Sequence, residues 1–348
     1  MRGIRLFGLL ALLALALGFP LLFSNPAITS IAVFALIFAV AATAWNIFSG
    51  YTGYISLGQA TFYGIGSYTL ALISQDWHVQ GGFTPFLLLP LVGLTTGVFA
   101  IPLGWIALRT RQFTFVVITI AILFIFQLLA FNLESITNGS RGMFLPFPPW
   151  SGDVYNFPFY YVSLALLLLA LFVSWWVRHS KYGLGLLAIR DDEDRVLGLG
   201  MKTRWYKLTA FVISAVFIGM AGAMHGYFLG FISPSFAFAP VLDVTFALMV
   251  YFGGTGTLVG PILGGLLLEP LQQFLTLQYG EKGLDLILFS GLLLFVILVL
   301  PEGVVPTVRR KWAAWMATRI RTKSTEEVPP VPGTSDQGPP LLAKEGEG

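Results

Sequence analysis

Apolar runs nearly free of charge recur along this chain, each about the length that crosses a bilayer. A hydrocarbon core of about 30 Å needs about 20 apolar residues in a helix. Counted between charged or Pro/Gly-rich breaks, the candidate spans are residues 4–23, 27–48, 55–73, 85–108, 113–131, 159–177, 208–231, 238–252, 257–275 and 283–300. The eighth is short, and the third and ninth are rich in glycine. The pattern predicts an all-α polytopic membrane protein of about ten transmembrane helices with glycine-rich broken helices. A mean hydropathy of +0.80 and a charged fraction of 11% exclude an ordinary soluble domain.

Charge placement orients the spans. The first run follows Arg2 and Arg5 and has no small-residue cleavage site after it, so it reads as a membrane helix rather than a secretory signal. Ten spans put both termini on one face, and of the 20 lysines and arginines only Arg141 and Lys282 then fall on the other. By the positive-inside rule that face, and both termini, are cytoplasmic. The same placement accounts for the net charge of +3 without nucleic acid. The absence of cysteine removes disulfides, thiolate metal sites and cysteine nucleophiles, and the scattered His78, His179 and His225 suggest no metal centre. Among the outer loops, residues 132–158 are rich in Pro, Gly and aromatics, and the Asn138-Gly139-Ser140 sequon there is incidental. After a membrane domain spanning 1–305, residues 306–323 place Val308, Trp312, Trp315, Met316 and Ile320 on one face with arginines opposite. That reads as an interfacial amphipathic helix on membrane lipid. The Pro-, Gly- and Glu-rich residues 324–348 read as a disordered tail.

Polar backbone at membrane depth is tolerated where protein buries it or where it lines a solute path. "GYTGYISLGQATFYGIG" meets that description: Gly50 and Gly53 break a helix, Tyr51, Ser56 and Gln59 supply donors and acceptors, and Gly64 and Gly66 follow. Path lining and close helix packing both fit these residues. "FALMVYFGGTGTLVGPILGG" has the same character, with Gly253, Gly254 and Gly256 ahead of Gly260 and Gly264. Its glycines do not match a dinucleotide-binding loop, and no βαβ unit surrounds them. Both breaks join an inward-running helix to an outward-running one. In "GMAGAMHGYFLG" Gly222, Gly226 and Gly230 repeat every four residues, with Gly219 close by, and read as packing, with His225 a satisfied packing residue among them. Glu134, Asp243, Glu269 and Asp285 lie near outer span ends where water reaches them, so no mid-membrane proton relay is evident.

The loop 178–207, "RHSKYGLGLLAIRDDEDRVLGLGMKTRWYK", mixes both charges with Leu186, Leu187, Ile189, Val196, Leu197 and Leu199. A merely solvated loop has no need of those apolar residues. Two short helices across the inner face, forming a docking surface, are expected. No phosphate-binding loop occurs anywhere, so any nucleotide that drives this chain is hydrolysed by another one.

Three ordered stretches, "NIFSGYTGYISLGQATFYGIGSYT", "RDDEDRVLGLGMKTRWYKLTAFVISA" with "GMAGAMHGYFLGFISP", and "GGTGTLVGPILGG", resemble hallmark segments of LivM-type permeases, the membrane subunits of branched-chain amino acid ABC importers. The resemblance covers about residues 27–305. It implies a bacterial inner-membrane importer subunit with no cofactor and no catalytic residues of its own. It also implies partners: a LivH-type permease forming a heterodimer, two ABC ATPase subunits on cytoplasmic loops, and a periplasmic amino-acid-binding protein.

In the coupling loop Asp192, Glu193, Gly200, Tyr206 and Lys207 match the family pattern. Gly198 stands where alanine is usual, and Asp194 and Arg195 where residues are apolar or small, departures that bear on the loop's helical regularity. Gly50, Gly53, Leu57, Gly58, Gly64 and Gly66 match the first motif, and Gly253, Gly254, Gly256, Gly260 and Pro261 the last. Asp192, Glu193, Asp194, Arg195, Gly198 and Gly200 are therefore the expected ATPase-coupling residues. Gly50, Tyr51, Gly53, Ser56, Gln59, Gly64, Gly66, Gly253, Gly254 and Gly256 are the expected solute-path residues. Permeases for urea and short-chain amides share much of this pattern, and an ion-driven secondary carrier is the other alternative. An intramembrane hydrolase would need a buried dyad that the sequence does not offer.

Overall fold

A computed structural model describes residues 11, 14–23, 25–150 and 152–279, the single positions 284, 291, 294 and 298, and residues 303–311. Two compact units are present, Met1–Val305 and Pro306–Gly348. In the second, residues 306–311 are helical. The rest of the expected interfacial helix and the whole expected tail 324–348 lie outside the described residues, as does nearly all of the last expected span, 283–300.

Among its described residues the first unit is mainly helical. Residues 14–22 are helical, and the main elements follow as α1 Pro26–Trp45, α2 Ala60–Asp76, α3 Leu89–Ala107, α4 Gln112–Asn132, α5 Asn156–His179, α6 Lys181–Asp191, α7 Glu193–Gly198, α8 Thr203–Leu229, α9 Pro240–Gly253 and α10 Gly260–Tyr279. Six helices among the described residues are long and apolar enough to cross a membrane. They are α1 with its following turn, α3, α4, α5, α8, and α9 with the short turn before it. The expected third span begins at Ala60 rather than residue 55 and has 17 residues. The ninth, α10, is diluted by Glu269, Gln272 and Gln273. At α8 the helix starts five residues before the expected span because Lys207, a charge that hydropathy counting excludes, is buried against a carboxylate.

Local chemistry sets the helix ends. Asn25 Oδ1 accepts the Ala27 N–H at 3.0 Å ahead of Pro26, a capped start with proline where no N–H is missed. Arg178 and His179 close α5 against its negative C-terminal dipole. Gly230, at φ 71°, ends α8 in a left-handed cap. From there two short strands, β1 Met143–Phe144 and β2 Phe231–Ile232, pair antiparallel and fasten the long outer loop to the end of α8.

The core is organised around α8, which packs on α2, α3 and α1, while α10 packs on α1 and α9. Glycines of α8 lie at these crossings: a Cβ on Gly222 would stand 2.1 Å from Tyr63 O, and one on Gly219 2.4 Å from the Thr96 side chain. Backbones therefore touch, as small-residue helix interfaces permit. By contrast α4 turns Phe113, Val117, Phe124, Ile125 and Leu128 outward, where lipid replaces protein.

Candidate functional site

The first glycine break starts as a wide turn. α1 runs into a single π turn, Asn46–Gly50, and the helix stops at Thr52. Gly53 reverses the chain at φ 75°, a conformation that side chains rarely adopt. Residues 53–59 then have no regular structure, and backbone groups here find partners in side chains of other elements. Trp45 Nε1 donates to Ser56 O at 3.0 Å, and the Ser56 N–H donates to Ser49 Oγ at 3.2 Å. The Leu57 N–H donates to Thr119 Oγ1 at 3.3 Å, and the Ala60 N–H to Asp243 Oδ1 at 3.0 Å. Thr119 lies two turns inside α4 and Asp243 one turn inside α9, so the irregular segment rises between spans before α2 begins.

The second break is a tight reversal. Gly254 and Gly256 carry φ values of 116° and 71°, and Thr257 Oγ1 accepts the Gly260 N–H at 3.0 Å to start α10. A Cβ on Gly253 would lie 1.8 Å from Gly260 O, so the two arms of the turn are in backbone contact.

These breaks, about 200 residues apart in sequence, meet through one buried amide. Asn46 Oδ1 accepts the Gly256 N–H at 2.8 Å, and Asn46 Nδ2 donates to Thr257 O at 2.9 Å. Gly50 is held so close that a Cβ would stand 2.0 Å from Asn46 Oδ1 and 3.0 Å from Gly256 N. Two arginines close the junction from the loop side. Arg190, the last basic residue of α6, donates from Nη1 to Gly50 O at 2.8 Å, and Arg178, at the end of α5, donates to Gly256 O. The two breaks are thus tied to the C-terminal ends of α6 and α5 respectively.

Residues 178–207 form two helices joined by one extended residue. Asp192 caps α7, accepting the Arg195 N–H at 3.1 Å, and pairs with Arg195 Nε at 2.8 Å. The departures at Asp194, Arg195 and Gly198 do not disturb this geometry. Glu193 turns inward: its Oε1 accepts from Lys207 Nζ at 2.6 Å and from Thr203 Oγ1 at 3.1 Å, and its Oε2 accepts from Tyr54 OH. Lys207 Nζ also donates to Tyr54 OH at 3.1 Å and lies 4.1 Å from that ring's centre. Burial alone would push the Glu193 carboxyl up, but the hydrogen bonds from Lys207 and Tyr54 and the Lys207 charge outweigh it and hold the group below its ordinary range. On Tyr54, burial and then the Glu193 carboxylate act in the same direction and raise the phenol.

The opposite side of the loop is exposed. Leu184, Leu197, Leu199 and Trp205 face outward, Gly198 and Gly200 have no neighbour within 4 Å of a Cβ, and Asp194 meets Arg111 at 2.9 Å in the open. Between α6, α7 and the start of α4 lies a groove of about 430 Å³, lined by Tyr54, Arg111, Phe113, Arg190, Asp191 and Asp194 among others.

The expected solute-path residues therefore divide. Gly50, Gly53, Gly253, Gly254 and Gly256 shape the junction. Tyr51 OH bonds Ser174 Oγ at 2.8 Å and fastens the break to α5. A Cβ on Gly64 would lie 2.3 Å from the Phe238 ring, and one on Gly66 2.0 Å from Gly219 O, so Gly64 makes room for a ring from the turn before α9 and Gly66 serves the crossing with α8. Ser56 Oγ and both amide atoms of Gln59 are buried and have no partner, and the same is true of Thr61 Oγ1 and Asp243 Oδ2. Two of the four outer-end acids are less wet than expected, Asp243 at 1% and Glu269 at 3% exposed, whereas Glu134 is exposed as expected and Asp285 lies outside the described residues. His225 packs as expected, its Nδ1 bonded to Tyr63 OH and its ring edge-on to Phe34, Phe38 and Phe236. Sequence reasoning missed Asn46, and it read Arg178 and Arg190 as orientation charges. The one usable signal was an amide at the end of an otherwise apolar run.

Broken membrane helices joined at their ends and clasped by a two-helix surface loop define a polytopic helical membrane protein of the transport-subunit class. Residues 27–299 match the family described as "Branched-chain amino acid transport system / permease component", and the chain belongs to that family. It is 31% identical over 329 residues to the high-affinity branched-chain amino acid transport system permease protein LivM of Escherichia coli (strain K12), covering 86% of this chain and 75% of that one. Its identity to LivM of Salmonella typhimurium is also 31% over the same length. To LivH of Escherichia coli (strain K12) it is 27% identical over 285 residues, 77% of this chain and 90% of that one. No solved structure matches it.

Proposed function

We propose that the chain is the permease subunit of an ATP-driven importer of branched-chain amino acids in the bacterial inner membrane. It forms half of the translocation path beside a LivH-type permease, with two ATPase subunits below and a solute-binding protein outside. About ten spans with both termini cytoplasmic fit its charges, and the pairing of Arg111 with Asp194 supports placing the α3–α4 turn on the same face as residues 178–207. Relatives named for branched-chain amino acids favour those solutes over urea, short-chain amides or an ion-driven mode.

The observation that carries this reading is the pair of arginine bonds from Arg190 to Gly50 O and from Arg178 to Gly256 O. ATPase subunits that close on the apolar outer side of α6 and α7 move Arg190 with that helix. Because Arg190 holds one break and Asn46 joins it to the other, both breaks respond together, and α2, α9 and α10 reorient around the glycines. Gln59 and Ser56, buried without partners, are then the polar groups left for the solute, while Tyr51, Asn46 and the glycines hold the frame. In the importer reconstituted with its partner subunits, Arg190→Ala is expected to retain basal ATP hydrolysis and to lose solute-stimulated hydrolysis and uptake about ten-fold. Stimulation equal to wild type would remove the loop from the coupling route.

A further inference from the structure

The polar interior holds a second opening that the junction does not use. A cavity of about 280 Å³ lies among α1, α8, α9 and α10, near the smaller end of the range for small-molecule pockets. Phe34, Phe38 and Phe236 form its aromatic wall, and Leu229 and Val241, both about half exposed, stand at its rim. Glu269, Gln272 and Gln273 enter from α10. Gln273 Nε2 donates to Glu269 Oε1 at 3.1 Å, which fixes the carboxyl in place. Glu269 Oε2 and Gln272 Oε1 have no hydrogen-bond partner, although Glu269 is only 3% exposed.

Such an arrangement is costly when empty. An acid in an apolar span is expensive, and a buried polar atom with no partner forfeits its hydration without replacement. The two free atoms are both acceptors, so the missing group must donate and not accept. A carboxylate or other anion would meet acceptors and the electron-rich faces of rings, whereas a cation meets complementary charge at both. His225 also lines the cavity, but its Nδ1 is engaged with Tyr63 OH and its ring makes no hydrogen bond to Glu269 Oε2 or Gln272 Oε1.

We infer that this cavity is a binding site for a small primary ammonium with a compact apolar body, its charged end between Glu269 Oε2 and Gln272 Oε1 and its body against Phe34, Phe38 and Phe236. The chemistry is that of the ammonium half of an aliphatic amino acid. The inference rests on the proposed transport reading for its natural occupant, and it stands on the cavity alone for the class of ligand. The ammonium is held in this cavity, away from the helix break that carries Gln59 and Ser56.

The test uses the full chain in lipid nanodiscs, with 3-methylbutylamine as the ammonium probe and 4-methylpentanoate as its carboxylate counterpart. Ligand-observed NMR is expected to show the amine bound to wild type and weakened about ten-fold or more in Glu269→Gln, which keeps the shape and removes the charge. Gln272→Met is expected to weaken the amine by a smaller factor, and it keeps the inference testable should Glu269→Gln unfold. 4-Methylpentanoate is expected not to displace the amine. Amine binding unchanged in both variants, or displacement by 4-methylpentanoate as effective as by leucine, would overturn the assignment. Leucine uptake by the assembled importer separates the two readings. Amine binding through Glu269 in an importer that does not carry leucine keeps the site and removes the transport reading. Leucine carried with wild-type KM by the Glu269→Gln importer removes leucine as the occupant of this cavity and keeps the transport reading.

Discussion

Polar groups at the junction of the two breaks, where Asn46 is buried, Arg178 and Glu193 are half-buried and Arg190 is exposed, are treated in the opposite way to the buried polar groups higher between the spans. At the junction Asn46 uses both of its amide atoms, Arg178 and Arg190 each take a backbone carbonyl, and Glu193 accepts three hydrogen bonds. Above it, Gln59 uses neither side-chain atom, and Ser56 Oγ, Asp243 Oδ2 and Glu269 Oε2 are likewise unpaired. A satisfied network in a low dielectric fixes one geometry. Unsatisfied atoms in a fully buried setting raise the free energy of the empty state, and a ligand that pairs them lowers it. On the proposed transport reading, the first region transmits force and the second meets the solute.

The largest effect is expected where the satisfied network carries charge. Glu193→Ala leaves Lys207, 4% exposed along its side chain, as an uncompensated cation. Loss of a partner from a buried pair costs roughly 3–5 kcal/mol, to be read from the unfolding midpoint of the purified chain in detergent. The pH dependence has a definite sign. Glu193 is held below its ordinary value, so its stabilisation is fully present above the unfolded carboxyl's pKa of about 4.3 and is lost only as pH falls through the lower folded value. Wild type and variant should therefore differ at neutral pH and converge below about pH 4. Equal stability at neutral pH would show the pair to be dispensable.

A paired substitution tests the contrast itself. Asn46→Leu removes two buried bonds and leaves the Gly256 N–H and Thr257 O without partners, a loss of about 2–3 kcal/mol. Gln59→Leu removes none and is expected to change stability by less than about 1 kcal/mol while lowering uptake. If the two amides proved equally costly in thermal unfolding, the division between paired and unpaired regions would be wrong.

How much of this was legible in the sequence follows from the range of the interactions. Apolar periodicity located α1, α3, α4, α5, α8 and α9, since a lipid-facing or packed helix is a local property. Glycine composition located both breaks for the same reason. It could not show that residues 53–59 leave the helix, because their N–H groups are drawn away by Ser49, Thr119 and Asp243, of which the last two are remote in sequence. Nor could it show that Asn46 joins the breaks, that Glu193 faces Lys207 rather than an outside partner, or that Glu269 borders a cavity. Each of these depends on which helix faces which, and hydropathy counts do not contain that. The six expected coupling residues were therefore read as one surface, whereas Glu193 belongs to the interior and Asp192 caps α7, leaving Asp194, Arg195, Gly198 and Gly200 outward.

That outward face supplies the smallest and most discriminating prediction. Gly198 ends α7, and a Cβ there would meet nothing within 4 Å in the free chain. Alanine is the better helix former, by up to about 1 kcal/mol in a helix interior and less at an end. In the isolated chain Gly198→Ala is expected to slow amide exchange slightly across residues 193–198 and to disturb nothing else. In the assembled importer the same methyl tests what lies against the loop. If an ATPase subunit seats closely on α7, a backbone stiffened at its end transmits closure at least as well, and stimulated hydrolysis is unchanged or rises. If hydrolysis falls while the isolated loop is steadier, then the glycine is needed for motion at this end of α7, and the loop works by bending rather than as the rigid arm that the Arg190 and Arg178 bonds describe.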